Sequence, residues 1–211
     1  MNLNGTEQSI ISLYSGFMDP YSHRVRIVVQ EKEAAHDLIL VDEDEPSEDF
    51  LSLSPYQSLP VLVDKDLVLF DPRTILEYLD ERFPHPPLLP VDPAEKANIR
   101  QMLMRIDHDW TPKVVEMQKT ANSKKTTILL KELKESFMML APLFSQHEFF
   151  MRDEFSLVDS ALAPILWYLD SHGVTYPKSA QAVTDYTERL FSRDTFQTSL
   201  TEYEEELREI A

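Results

Sequence analysis

The sequence predicts an α/β N-terminal domain followed by an all-α C-terminal helical bundle. Strand-like apolar runs are confined to the first third, and after position 93 apolar residues recur only at helical spacing. Between the two lies a segment with prolines at positions 84, 86, 87 and 90, which cannot be a helix or a central strand because proline fixes φ and lacks an N–H donor. We therefore predict an N-terminal domain over 9–83, a proline-rich linker over 84–92 and a helical domain over 93–211.

The first third contains a strand, a helix and a second strand, followed by a hairpin. Two apolar runs flank the turn Asp64-Lys65-Asp66, which is typical of a β-hairpin. A parallel strand pair extended by an antiparallel hairpin is a thioredoxin-like layout. The predicted bounds are a strand over 10–14, a helix over 21–34, a strand over 38–41 and hairpin strands over 59–63 and 67–70.

A helix follows the hairpin. Asp71 is a good N-cap, and Pro72 suits the first helical position, where a missing N–H costs nothing. Beyond the linker, amphipathic patterns predict several further helices. Their apolar stripes include Ile99, Met102, Leu103, Ile106 and Trp110 in the first of them, and Leu200, Tyr203, Leu207 and Ile210 in the last.

Composition excludes several classes of site. The chain has no cysteine, so disulfides, thiolate metal sites and cysteine nucleophiles are excluded, and three glycines are too few for a glycine-rich phosphate loop. The six histidines show no metal-ligand spacing. In Asp107-His108-Asp109-Trp110 adjacent side chains point in different directions on a helix, so we expect a solvated face with Trp110 buried. We predict no metal and no cofactor.

Charge and hydropathy bear on partners and location. The net charge is −17, with 37 acidic and 20 basic residues, which disfavours direct binding of nucleic acid. The acidity favours basic protein partners or serves solubility alone, and both interpretations stay open here. No apolar run is long enough to span a membrane and the first nine residues are polar, so we expect a cytoplasmic protein without a membrane segment.

Three local patterns, in this order, resemble the cytosolic glutathione-transferase superfamily over nearly the whole chain. The segment 57–62 resembles the family's turn with a cis-proline, here Pro60, before the third strand. The segment 155–159 matches a capping box in which Ser156 and Asp159 bond each other's N–H groups. The helix over 73–82 is the third pattern.

The strings 21–28, 79–88 and 153–159 are also similar to the stringent starvation protein A family within that superfamily. The resemblance implies a non-enzymatic dimer that binds RNA polymerase holoenzyme, including its sigma factor, through a surface around a Pro-His-Pro segment. A homodimer and a heterodimer with a paralogue both remain open, as does the interpretation of the prolines as a stiff hinge between domains. The candidate partner-binding residues are Phe83, Pro84, His85, Pro86, Pro87, Asp64 and Lys65.

Glutathione transferases carry a Tyr, Ser or Cys after the first strand to stabilise the glutathione thiolate. Here the stretch 16–22 offers Asp19, whose charge would repel a thiolate, while we expect Tyr14 to be a core residue and the nearby serines to be solvated. At the start of the third helix, glutathione-binding members carry a serine that donates two hydrogen bonds to glutathione. This chain has Pro72 at that position. We therefore predict no catalytic residue. Two alternatives stay open: an active glutathione transferase or peroxidase, and a structural dimer with an unknown partner. Residual glutathione binding through the Leu59-Pro60 backbone also stays open.

Overall fold

The computed structural model describes residues 10–209, and the predicted bounds at Ser9, Ile210 and Ala211 lie outside them. The N-terminal half has four strands and three helices; the C-terminal half is helical. The elements are β1 Ile11–Ser15, α1 Pro20–Glu31, β2 His36–Leu40, α2 Glu48–Leu53, β3 Val61–Asp64, β4 Leu67–Leu69, α3 Pro72–Arg82, α4 Pro93–Arg105, a π-helical turn Ile106–Trp110, α5 Thr111–Lys119, α6 Ser123–Phe144, α7 Leu157–Ser171, a 3₁₀ turn Lys178–Ala180, α8 Gln181–Phe191, α9 Asp194–Gln197 and α10 Glu202–Glu209.

The sheet has the strand order β2-β1-β3-β4. Strand β1 pairs with β2 in parallel and with β3 in antiparallel, with Leu13 opposite both Leu38 and Leu62. Strand β4 completes the hairpin, with Asp64 opposite Leu67, so the turn consists of Lys65 and Asp66 alone. The predicted fold class, a thioredoxin-like domain followed by a helical bundle, is confirmed.

Several bounds and one helix differ from the sequence prediction. Helix α1 ends three residues earlier, because the chain turns at Glu33 with a φ of 47°. Strand β3 begins only after the cis Leu59-Pro60 bond, so the predicted cis-proline is present but lies outside the strand. Helix α2 was not predicted; Ser47 caps it and Phe50 is its one buried residue, so its apolar signal is short.

The helical half departs from the prediction at the end of α4. The single apolar stripe from Ile99 to Trp110 continues into a π-helical turn over the last five of these residues. Trp110 is buried there and Asp109 is more than half exposed, as expected, but Asp107 is only 13% exposed and pairs with Arg24 at 2.6 Å, so it is not solvated. Between residues 93 and 209 the strand-like pairing is limited to one isolated bridge, between Phe149 and Arg152.

One hydrophobic core extends through both halves. It joins buried residues of β1, α1 and α3 to those of α4, α6 and α7, and α1 packs directly against α7. A smaller cluster around Val41, Phe50 and Val61 covers the other face of the sheet. None of the helices within residues 10–209 combines the length and the apolar character that crossing a bilayer requires.

Candidate functional site

The connector between α3 and α4 exposes a short proline-rich surface. Residues Pro84, His85, Pro86 and Pro87 are all exposed, while Leu88, Leu89 and Pro90 turn inward and are buried. The His85-Pro86 peptide bond is cis, which the sequence did not indicate. We call residues 84–87 the proline surface.

A buried ion pair holds the proline surface from inside. The Lys32 Nζ lies 2.6 Å from Asp80 Oδ1, with the lysine side chain fully buried, and it also donates to the carbonyl of Pro86. The Asp80 carboxylate in turn accepts the N–H groups of Leu88, at 2.7 Å, and Leu89, at 3.1 Å. The backbone on both sides of Pro87 is therefore fixed by one lysine and one aspartate.

Neither Lys32 nor Asp80 was among the predicted site residues. A signal was present, because Lys32 lies four positions after Val28 and Asp80 four positions after Leu76, and residues with that spacing share a helix face. Both Val28 and Leu76 are fully buried. A charged residue on a buried face needs a partner, so the spacing indicates an ion pair without identifying the pair.

Phe83 and Asp64 are buried, which corrects their predicted place on the exposed surface. Phe83 is 8% exposed and belongs to the main core. Asp64 is 6% exposed and accepts hydrogen bonds from the Tyr78 hydroxyl at 2.8 Å and from Arg82 Nε at 3.4 Å. These bonds tie the hairpin turn to the C-terminal end of α3, where the connector begins. Lys65 is exposed in that turn.

The loop between β1 and α1, where a transferase would hold its catalytic residue, is closed by internal hydrogen bonds. Asp19 caps α1 and accepts from the Ser22 N–H at 2.8 Å and from the Ser22 hydroxyl at 2.6 Å. That hydroxyl also accepts the Gly16 N–H at 3.0 Å. A side chain at Gly16 has no room, because its Cβ would lie 2.8 Å from the Asp19 Cβ. Burial raises the pKa of Asp19, and the hydrogen bonds from Ser22 oppose that rise.

The two serines in this region are not solvated, contrary to the prediction. Ser15 and Ser22 are both fully buried. The Ser15 hydroxyl donates to the Gly16 carbonyl and accepts from Arg26, so it too is engaged. Tyr14 is half-buried and packs near Phe50, with ring centroids 6.2 Å apart, which agrees with a structural tyrosine.

A buried cluster connects α1 to the segment before and within α10. Arg26 pairs with Glu204 and donates to the Ser199 carbonyl at 2.8 Å. His23 lies 3.1 Å from the Ser199 hydroxyl and 3.4 Å from Glu204. Burial, and secondarily the charge of Arg26, hold the pKa of His23 well below its usual range. Burial raises the pKa of Glu204 despite the nearby arginine.

The same C-terminal segment covers the β1–α1 loop. The Phe17 carbonyl accepts from the Thr201 hydroxyl at 2.6 Å, and the Phe17 ring packs against Tyr203 at 4.7 Å. The Met18 carbonyl accepts from Gln118 at 2.7 Å. The cleft that remains beside this loop has a volume of about 10 Å³, which is scarcely enough for one water molecule.

The start of α3 follows the sequence prediction. Asp71 is the N-cap and accepts the Thr74 N–H at 2.8 Å and the Thr74 hydroxyl at 2.7 Å, while Pro72 occupies the first helical turn. Partial burial alone would raise the pKa of Asp71, but these two bonds and the charges of Arg73 and Arg24 together lower it. Pro72, at the position where a glutathione-binding relative is expected to have a serine, donates no hydrogen bond there.

The capping box at α7 is present, and it is larger than predicted. Asp159 accepts from the Ser156 N–H at 2.8 Å and the Ser156 hydroxyl at 2.7 Å. It also accepts from the Phe150 N–H at 2.8 Å and the Tyr186 hydroxyl at 2.6 Å, two partners that the sequence did not indicate. The box therefore joins three segments of the bundle.

Comparison with curated proteins identifies the family. The chain is 46% identical over 209 residues to a stringent starvation protein A homolog of Coxiella burnetii, covering 97% of this chain and 98% of the relative. It is 44% identical over 203 residues to the homolog of Histophilus somni, covering 96% and 95%. The chain belongs to the stringent starvation protein A family.

The wider superfamily is also clear. The model of the glutathione S-transferase N-terminal domain matches residues 9–81, and that of the C-terminal domain matches residues 101–194. Among solved structures, a glutathione S-transferase from Rhodospirillum rubrum superposes with a TM-score of 0.82 at 23% identity, covering 92% of this chain and 93% of that one. A Tau class transferase from mango gives a TM-score of 0.81 at 21% identity, covering 96% and 97%. At these identities the likeness shows the fold alone.

Proposed function

We propose that this member of the stringent starvation protein A family is a stress-response regulator of transcription that binds RNA polymerase holoenzyme through the proline surface. The observation that carries the proposal is the Lys32–Asp80 pair, with its fully buried lysine, beneath an exposed connector. Fixing exposed backbone in advance lowers the entropic cost of binding another protein. A simple hinge needs no such exposed, preformed shape.

The chemistry of the proline surface suits a protein partner. Three proline rings present apolar area without rotamer entropy to lose, and His85 adds an imidazole that can donate or accept a hydrogen bond. The net charge of −17 steers the chain toward basic surfaces, and this attraction weakens as salt screens it. Contact with the sigma factor is part of the proposal.

We further propose that the chain performs no glutathione chemistry. Asp19 would place a carboxylate beside the thiolate, and Pro72 has neither the N–H nor the hydroxyl that would hold the ligand's carboxylate. The hydroxyls of Ser15 and Ser22, which flank the β1–α1 loop, are already bonded within the chain. The alternative is a glutathione-dependent enzyme, which the shared fold supports. A similar structure, that of a glutathione S-transferase from Methylobacillus flagellatus, is described with glutathione bound.

We propose that the chain forms a dimer along α4. Ile99, Leu103 and Ile106 are buried within the chain itself, so they leave no apolar stripe for a partner. Instead, Met104 is 45% exposed and Met151 is 37% exposed, and both line a groove of about 540 Å³. Flexible methionine side chains suit a surface that a second copy covers. Sedimentation of a stable 24.5 kDa species at micromolar concentration would contradict this.

Co-purification from cells tests the polymerase proposal. The variant carrying Pro84→Ala, His85→Ala and Pro86→Ala is compared with wild type for the polymerase subunits and sigma factor that co-elute. A matched control carries Pro55→Ala, His147→Ala and Pro177→Ala, which are equally exposed positions elsewhere. We expect loss of polymerase from the first variant alone. Equal recovery with both variants would remove the proline surface from the mechanism.

A further inference from the structure

A second cavity lies in the helical half, away from both the proline surface and the β1–α1 loop. It has a volume of about 490 Å³ and is lined by residues of α7, α8, the loop between them, α9 and α10. Small-molecule sites in proteins commonly have volumes of a few hundred to a thousand Å³. Its apolar lining consists of Leu166, Leu169, Val174 and Phe191.

The charged groups at this cavity are not balanced. Arg208 pairs with Asp170 at 3.1 Å, and its guanidinium lies over the Trp167 ring at 4.9 Å. Glu188 also lines the cavity, is exposed, and forms no ion pair with any residue between 10 and 209. One carboxylate at the cavity therefore lacks a cation.

A tyrosine adds an unsatisfied polar group. Tyr176 lines the same cavity, and its hydroxyl is buried without a hydrogen-bond partner in the described part of the chain. The oxygen itself has almost no accessible surface, so Tyr176 contributes its ring to the lining and offers no hydrogen bond to a ligand.

We propose that this cavity binds a small primary amine with an aromatic or branched aliphatic body. The apolar lining and the Tyr176 ring would take the body, while the ammonium group, which only donates, would pair with Glu188. A carboxylate-bearing ligand fits poorly, since Asp170 already occupies Arg208. The strongly negative chain also raises the local concentration of cations. This inference is independent of polymerase binding.

Two-dimensional ¹H–¹⁵N NMR titration with 2-phenylethylamine tests the site on the full chain. The uncharged analogue 2-phenylethanol has the same body and serves as the ligand control. We expect the amine to shift the amides of Val174, Thr184 and Thr187 and to bind roughly tenfold more tightly than the alcohol, as a charge-assisted hydrogen bond implies.

Three variants separate the parts of the proposal. Glu188→Gln should abolish the preference for the amine, Thr184→Trp should fill the cavity and prevent both ligands from binding, and Glu135→Gln on α6 should change neither. Each is first checked for a wild-type-like spectrum. Equal binding of amine and alcohol by wild type, an unchanged preference in Glu188→Gln, or the absence of shifts at these amides at millimolar amine would each overturn the proposal.

Discussion

Lys32 and Asp80 form a buried ion pair that joins the end of α1 to α3 and, through the Pro86 carbonyl and the Leu88 and Leu89 N–H groups, to the connector. One charged pair thus supports both the packing of the two helices and the shape of an exposed surface. Changes to the pair and changes to the surface are expected to have different effects.

Lys32→Met should destabilise the fold by about 3 to 5 kcal/mol, because Asp80 is left buried without its cation. Denaturant unfolding followed by circular dichroism measures the difference. Lys65→Met, in the exposed hairpin turn, is the matched control and should stay within about 0.5 kcal/mol of wild type. A Lys32→Met variant as stable as the control would show that Asp80 does not need its partner.

Replacing the two members of the capping box, Ser156 and Asp159, should destabilise the fold by different amounts. Ser156→Ala removes a cap and should cost about 1 kcal/mol. Asp159→Ala leaves the Phe150 N–H and the Tyr186 hydroxyl without their acceptor as well, so it should cost about 3 kcal/mol. The double variant should lose less than the sum, because the bonds are reciprocal. Equal losses from the two single variants would mean that the additional partners of Asp159 contribute nothing.

The free energy of unfolding should decrease as the pH falls, because of His23. Its pKa in the folded chain lies well below the ordinary 6.5, so the unfolded chain binds the proton first. The stability from this residue is fully present above pH 6.5 and is lost by about 1.4 kcal/mol per pH unit below it, until the folded pKa is reached. Glu204 and Asp19 act in the opposite sense, since burial raises the pKa of each.

Comparison with His23→Asn isolates that effect. Unfolding free energies at a series of pH values between about 7 and 5 should converge for wild type and variant as the pH falls. Ser160→Ala, a buried change on α7 that removes no titratable group, is the control and should run parallel to wild type. Parallel curves for both variants would exclude a buried neutral His23.

Glutathione should not bind tightly to the wild-type chain. Calorimetry with millimolar glutathione is expected to give no saturable heat, because Pro72 lacks the donors for the ligand's carboxylate and the β1–α1 loop is closed. Pro72→Ser should restore at most weak binding, since Asp19 and the closed loop remain. Micromolar affinity, or turnover of an aryl halide, would establish the enzymatic alternative.

The parts of this structure that local chemistry dictates could be predicted from the sequence. Asp71 and Pro72 begin α3 as expected, and the exposed prolines follow from a composition that no helix or strand accepts. The Lys32–Asp80 pair joins residues 48 positions apart, and no local pattern specifies which charges meet. For the same reason Phe83 and Asp64 seemed to belong to the surface, although core packing and Tyr78 bury them.

Equilibrium binding of the purified chain to purified RNA polymerase holoenzyme tests the central claim most directly. Wild type and the control triple variant should bind equally, and more weakly as salt rises. The variant with Pro84, His85 and Pro86 changed to Ala should lose binding by at least about tenfold while keeping the melting temperature of wild type, because these exposed side chains contribute little to the core. Undiminished binding by that variant, with the same salt dependence, would contradict the account.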